Sequence, residues 1–279
     1  MSRPHPPAPA GAPRPAPHPA DAATPTPYLS LVFPMFDEEA NVGPLLEAAL
    51  ARAPRLAPSF EIVVVDDGSR DGSAAIVEAW RRRDPRIRLL RHPRNCGYGA
   101  ALRSGLRAAR GELVFFSDAD LQFDLAELAH LLDHADDVDL VIGYRSPRRD
   151  PWRRRVLAWG WGVLVRAVFG LRVRDIDCAF KVFRRPVVEA LPIESLGAFV
   201  NTEILVRARD AGFRLREVPV SHHPRRAGRA KGARPRVILR ALVELAVLHG
   251  ALTRGGARGP RRAAAARTPV EADPRCALD

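Results

Sequence analysis

The sequence predicts an α/β domain, a mostly parallel sheet flanked by helices, and two observations carry that prediction. Runs of strand length that are apolar throughout alternate with longer stretches in which apolar residues recur at helical spacing. A polar cluster follows each of those runs at once. Strands that are apolar on both faces belong to parallel sheets covered by helices on either side. In such sheets ligands lie beyond the carboxyl ends of the strands.

The elements follow in order. Leu29–Phe33 reads as the first strand, with the polar stretch Pro34–Asn41 behind it and a helical pattern over Ala40–Ala53. Glu61–Val65 is the second, followed by Asp66–Ser73 and a helix over Ser73–Arg83. Ile87–Arg91 leads into Asn95–Gly99 and a helix over Ala100–Ala109. Leu113–Phe116 leads into Ser117–Gln122 and a helix over Ala126–Leu132, and Asp139–Tyr144 ends on Arg145. Any one cluster taken alone is an ordinary loop or cap. Asp71 and Ser73 suit the cap of the helix behind them, and Glu38 suits a helix N-terminus, where a negative charge meets the positive end of the dipole. Clusters at successive strand ends, however, mark one rim of one sheet.

The flanks differ in composition. Residues 1–27 hold ten prolines and almost no large apolar side chain, so they read as a disordered Pro/Ala-rich tail. Residues 28–235 form the expected folded domain, 236–254 an amphipathic C-terminal helix, and 255–279 a second disordered tail. Cys96, Cys178 and Cys276 are widely spaced, which argues against a disulfide framework or a structural zinc site and fits a reducing compartment. The N-terminus has no apolar segment of the secretory type. The net charge of +12 rests almost wholly on arginine, since Lys181 and Lys231 are the two lysines of the chain. A basic chain raises the possibility of a nucleic-acid binder. No nucleic-acid motif is present, aromatic residues are 6% of the chain, and a carboxylate pair at a strand end repels a phosphate backbone. No nucleic-acid partner is expected.

That pair is Asp118 and Asp120, one residue apart at the end of the fourth strand. Two such carboxylates can share one hard cation, which in turn clamps a diphosphate.

The segments PMFDEEAN (Pro34–Asn41), VVVDDGSRDGS (Val63–Ser73), RNCGYGAAL (Arg94–Leu102), SDADLQ (Ser117–Gln122) and DIDCAFKVF (Asp175–Phe183) occur in this order. Together they resemble glycosyltransferase family 2, inverting enzymes of the GT-A fold, a single Rossmann-like domain. Within that family the resemblance is to the branch of polyprenyl-phosphate (dolichyl-phosphate) mannosyl- and glucosyltransferases, and it covers Leu29 to Lys231. It implies a nucleotide-sugar donor, GDP-mannose or UDP-glucose in type, and Mg²⁺ or Mn²⁺. Pro34, Phe36, Glu38, Val65 and Asp67 take positions that hold the base and ribose. Asp118, Ala119 and Asp120 match the metal–diphosphate motif, with Gln122 behind them as a third metal ligand. Arg145 matches an arginine that meets the diphosphate, and Arg225, Gly228 and Lys231 fit a loop that closes over the phosphates. Elementary chemistry agrees, because cations must neutralise a departing nucleoside diphosphate, while Glu38 and Asp67 can only accept hydrogen bonds, as from ribose hydroxyls.

Two departures concern the acceptor. The family's D-x-x-C-G-F-K appears with an added acid, Asp177, and with Ala179 for glycine, and the serine of the late loop is Ala230. Asp177 is a candidate general base if the acceptor is a sugar hydroxyl, and has no such task if the acceptor is already an anionic phosphate. The segment Arg145–Arg174 holds nine arginines around Val156–Val165, with Trp152, Trp159 and Trp161. Such a helix suits the interface of an anionic membrane, because ten apolar residues are too few to span one; a buried or dimer-forming helix is the alternative. Arg154 matches an arginine that faces the lipid phosphate in the polyprenyl-phosphate branch. A second helix over Val237–Leu252 carries Arg240 and Glu244 at i,i+4 spacing, so it packs on the domain or rests on the membrane. The expected protein is a peripheral one on the cytoplasmic, inner face of the membrane, moving a hexose to a polyprenyl phosphate. The alternatives are transfer to a saccharide hydroxyl, or a non-catalytic relative that only binds.

Overall fold

The computed structural model describes residues 26–147, 152–225 and 235–255. The two expected tails therefore fall almost wholly outside the described residues. Four strands come first, each followed by a helix: β1 (Leu29–Met35), α1 (Glu39–Leu56), β2 (Phe60–Asp66), α2 (Ser73–Arg83), β3 (Ile87–Arg91), α3 (Tyr98–Ala108), β4 (Leu113–Ser117) and the short α4 (Leu128–Leu132). There follow β5 (Leu140–Arg145), α5 (Trp152–Phe169), β6 (Phe180–Arg184), α6 (Arg185–Ala190), α7 (Val200–Asp210), β7 (Leu215–Val220) and α8 (Pro235–Gly255).

The seven strands form one sheet in the order β3-β2-β1-β4-β6-β5-β7. β1 pairs in parallel with β2 and β4, β2 with β3, and β5 with β7. β6 runs antiparallel to both β4 and β5. The α/β architecture with a mostly parallel sheet is thus the one expected, with β6 inserted between the fourth and fifth strands.

Alternation along the strands splits the core into two layers. Leu31, Phe33, Ile62, Val64 and Phe115 face Val42, Leu45, Leu46 and Ala49 of α1. Val32, Val63, Val65, Val114 and Phe116 face Leu102 and Leu106 of α3 and Ile204 and Leu205 of α7. Burial on both sides explains why these strands read as unbroken apolar runs.

α5 and α8 are only half absorbed into this core. Val165 of α5 and Leu245 and Leu248 of α8 are buried, while Trp152, Val156, Leu157, Trp159 and Val163 of α5 and Leu239, Val243 and Val247 of α8 are exposed. Arg240 and Glu244 form the expected i,i+4 ion pair at 3.0 Å. The same Glu244 oxygen accepts the backbone N–H groups of Leu196 and Gly197 at 3.3 Å, which docks α8 on the loop before α7. No helix among the described residues is long and apolar enough to cross a membrane.

Candidate functional site

A cavity of about 760 Å³ lies beyond the carboxyl ends of the parallel strands. Pro34, Phe36 and Glu38 line it from β1, Asp67 from β2, Asp118, Ala119, Asp120 and Gln122 from β4, and Arg145 from β5. Arg225 closes it from beyond β7, and its mouth is walled by Leu157 and Trp161 of α5 and by Arg236, Val237 and Arg240 of α8. The fold therefore gathers side chains from nearly the whole length of the chain.

The turns after β1 and β2 are stitched to each other. The amide of Asp37 donates to Ser69 Oγ at 2.9 Å, that of Glu38 to Ser73 Oγ at 2.8 Å, and that of Arg70 to Asp37 Oδ1 at 2.9 Å. Ser73 N–H also donates to Asp71 Oδ1 at 3.0 Å, the local cap that the sequence offered as one reading. Most of the second polar cluster thus builds the rim, and from it Asp67 reaches the cleft.

Asp67 is itself heavily engaged. Its Oδ1 lies 2.7 Å from His92 Nδ1 and accepts Cys96 N–H at 2.9 Å, and its Oδ2 accepts Gly97 N–H at 2.9 Å. His92 Nε2 lies 2.9 Å from Ser104 Oγ. Ligating atoms of Asp67, His92 and Cys96 fall within 4.8 Å of one another. Hydrogen bonds already occupy Asp67 and His92. This cluster braces the loop before α3. Val65 is fully buried in the core beneath α3, so its side chain lies away from the cleft and only its backbone could meet a base or ribose.

The carboxylate pair sits deep. Oδ1 of Asp118 is buried without a well-formed hydrogen bond, and the buried Tyr98 hydroxyl acts on the same carboxyl from within the same cleft. Burial first, and then the charge of Asp120, push the Asp118 carboxyl up to about 7, against the opposing influence of Tyr98, Lys181 and Arg225. Burial also raises Asp120, opposed chiefly by Arg225. Asp120 Oδ1 accepts Gln122 N–H at 3.2 Å across a turn in which Leu121 takes the left-handed conformation, φ 59°. An orphaned, buried carboxylate oxygen beside a second carboxylate is a donor set that fits a hard divalent cation, which would replace the proton the pair otherwise holds. Gln122 donates its side-chain N–H to the His223 carbonyl at 3.1 Å.

The arginines are held, not loose. Arg225 pairs with the Glu38 carboxylate and stands 3.6 Å from Asp120 Oδ2. Glu38 occupies the N-cap position of α1, yet its side chain turns to Arg225 and to the Asn41 amide at 2.6 Å. Arg145 is gripped by Asp175 through two parallel bonds, Nε to Oδ2 at 2.6 Å and Nη2 to Oδ1 at 2.8 Å. Asp177 lies exposed on the rim. Lys231, with Gly228 and Ala230, lies outside the described residues, as does the side chain of Arg154 on α5. Asp175, Tyr98, Asn201, His222, Arg236 and Arg240 are cleft or second-layer residues to which the sequence reading gave no role. Asp175 and Tyr98 lie inside matched segments and Arg240 is the i,i+4 partner of Glu244, whereas Asn201, His222 and Arg236 carry no local signal.

A cleft over the carboxyl edge of a mostly parallel sheet, with an acidic pair at its base and arginines around it, places the protein in the GT-A class of α/β folds. The model of glycosyl transferase family 2 matches residues 30–191, and the chain belongs to that family. Among its relatives, the dodecaprenyl-phosphate galacturonate synthase of Rhizobium johnstonii is 31% identical over 213 residues, 73% of this chain and 61% of that one. The undecaprenyl-phosphate 4-deoxy-4-formamido-L-arabinose transferase of Edwardsiella ictaluri is 32% identical over 207 residues, 73% and 62% of the two chains. The chain thus spans about six-tenths of the length of these relatives. Among solved structures, glucosyl-3-phosphoglycerate synthase from Mycobacterium tuberculosis, in complex with Mn²⁺, UDP and glucosyl-3-phosphoglycerate, has the same fold. The TM-score is 0.61 at 20% identity, covering 82% of this chain and 80% of that one.

Proposed function

We propose that the protein is an inverting glycosyltransferase that moves a hexose from a nucleotide-sugar, of GDP-mannose or UDP-glucose type, to a polyprenyl phosphate at the inner face of a membrane. The observation that carries this reading is the buried Asp118–Asp120 pair, with its orphaned oxygen, facing Arg225 and Arg145 in one cleft. The names of the two sequence relatives, both polyprenyl-phosphate sugar enzymes, support the acceptor class.

Asp118, Asp120 and the Gln122 amide oxygen would hold Mg²⁺ or Mn²⁺, which supplies positive charge to the leaving diphosphate. Arg145, aimed by Asp175, and Arg225 supply further charge, and Lys231 is assigned to the same task from the closing loop. Pro34, Phe36, Glu38 and Asp67 line the side of the cleft where base and ribose would lie. At the mouth, exposed Trp152 and Trp159 and the apolar face of α8 suit contact with an anionic bilayer, with Arg154 meeting the lipid phosphate. A phosphate acceptor is already ionised, so no base is needed.

The test is nucleoside diphosphate release from a panel of nucleotide-sugars with Mn²⁺ or Mg²⁺, with and without a short polyprenyl phosphate. Lipid-dependent release from one donor supports the reading and names the sugar. Release stimulated instead by saccharides moves the acceptor to a hydroxyl, with the rim residue Asp177 as base, and no donor binding leaves a non-catalytic relative. Asp120→Ala is expected to abolish turnover with the fold nearly intact; substantial remaining turnover removes the metal assignment.

A further inference from the structure

Lys181 is the second residue of β6, opposite Phe116 of β4 and Ile142 of β5, and is fully buried. Its ammonium donates to the Ile176 carbonyl at 3.2 Å, to the Cys178 carbonyl, and to Asn201 Oδ1 of α7 at 2.8 Å. Three donors meet three neutral acceptors, above the Phe116 ring. No carboxylate hydrogen-bonds this ammonium, and the more distant charges of Asp175, Asp177 and Asp118 only partly offset its desolvation, so it is a poor device for stability. An apolar side chain in its place would leave those three acceptors unpaired, so the charge points to what it holds.

What it holds is the strap between α5 and β6, which passes residues 175–179 outside any helix or strand. This strap presents Asp177 and Ala179 to the cleft. It also carries Asp175, which grips the Arg145 guanidinium and accepts the Arg145 backbone N–H at 3.2 Å. Two of the three Lys181 bonds end on strap carbonyls, one residue and three residues beyond Asp175.

We infer that Lys181 is a positioning residue, whose ammonium pins the 175–179 strap so that Asp175 holds the Arg145 guanidinium in the cleft. Only the consequence for diphosphate binding rests on the proposed function.

The test compares wild type with Lys181→Met, a substitution of similar length and no charge. Cys178, a free and buried thiol in the strap, reports the strap through iodoacetamide alkylation, and Arg145 reports its own release through phenylglyoxal labelling, both resolved by peptide mapping. Neither readout needs a ligand. In Lys181→Met, with cooperative unfolding retained, alkylation of Cys178 and labelling of Arg145 are both expected to rise by roughly tenfold or more, since burial is what protects them. UDP or GDP affinity in Mn²⁺ is expected to fall roughly tenfold, and the double variant with Arg145→Ala to bind no worse than Arg145→Ala alone. A merely structural role would instead make the two losses additive. Unchanged protection of Cys178 and Arg145, or additive losses, overturns the inference. If Lys181→Met does not fold cooperatively, Asp175→Asn decides: Arg145 must become reactive while Cys178 stays protected. Exposure of Cys178 in that variant would mean that the Asp175–Arg145 pair holds the strap, and Lys181 does not. Should wild type bind no nucleoside diphosphate, the functional reading fails while the two labelling readouts still decide the role of Lys181.

Discussion

Asp118→Asn should stabilise the metal-free protein at alkaline pH while removing its response to metal. The ionised Asp118 carboxylate is disfavoured by its burial and by Asp120, which together push it up from 3.8 to about 7. A carboxyl raised in the folded state is a stability penalty with a definite pH window. It is absent below about 4, grows as pH rises, and is complete above about 7. About three units correspond to about 4 kcal/mol at pH 8. The asparagine amide gives back about 1–3 kcal/mol of this, because its N–H groups are buried where Asp118 Oδ1 has no well-formed hydrogen bond and only the Tyr98 hydroxyl is at hand. A net gain of about 2 kcal/mol raises the melting temperature by roughly 4–8 °C for a chain of this size. The assay is thermal unfolding at pH 4 and pH 8, with chelator and with Mn²⁺. Wild type should gain from Mn²⁺ at pH 8, and the variant should melt at one temperature with or without it. A variant that is less stable than wild type at both pH values, or that still gains from Mn²⁺, refutes the assignment of Asp118 as a buried, metal-seeking carboxylate.

Three further outcomes follow from the same geometry. Mn²⁺ affinity, measured by calorimetry, should weaken by about tenfold per pH unit below about 7, as the metal comes to compete with a proton on Asp118. Gly99→Ala should cost about 2 kcal/mol in denaturant unfolding, because its Cβ would come 2.4 Å from the Ser195 carbonyl oxygen and 2.8 Å from that of Gly197. Replacing Trp152 and Trp159 by serine together should leave the melting temperature within a degree or two, since they are 68% and 72% exposed, yet reduce sedimentation with anionic vesicles; equal sedimentation would remove α5 from the membrane contact.

The strands buried on both faces were legible because nothing interrupts their apolar runs, and β1, β2, β3, β4 and β5 lie where those runs lie. β6 and β7 were not read as strands, for two different reasons. β6 carries Lys181 among its buried residues, and a lysine argues against a buried strand until its three acceptors are seen. β7 is an edge strand, half exposed, with Pro219 near its end, so its pattern is neither wholly apolar nor cleanly alternating. Within the site, Asp118, Asp120, Arg145 and Arg225 were named from local motifs, and all line one cleft. What sequence could not give was the pairing. That Asp175 grips Arg145 and that Arg225 lies between Glu38 and Asp120 are tertiary facts joining residues 30, 187 and 105 positions apart. Alternation along β2 also decides which strand-end side chains reach the cleft, and it turns that of Val65 into the core beneath α3.

The pairing of Arg225 bears on how the cleft accepts charge. In the ligand-free protein the base of the cleft holds Asp118, Asp120 and Glu38 close together, an arrangement that repels itself unless something positive stands among them. Arg225 does so, bridging Glu38 and Asp120 and lowering the tendency of both aspartates to stay protonated. Asp118 and Asp120 would hold a divalent cation in place of that guanidinium charge, and Arg225 would then be available to an anionic diphosphate. On the proposed function, Arg225 would thus exchange its carboxylates for the diphosphate. Arg145, by contrast, is paired with Asp175 outside the carboxylate cluster, and would act as a fixed, half-neutralised donor. Arg225 is then the cation whose position depends on occupancy, and Arg145 the one whose position does not.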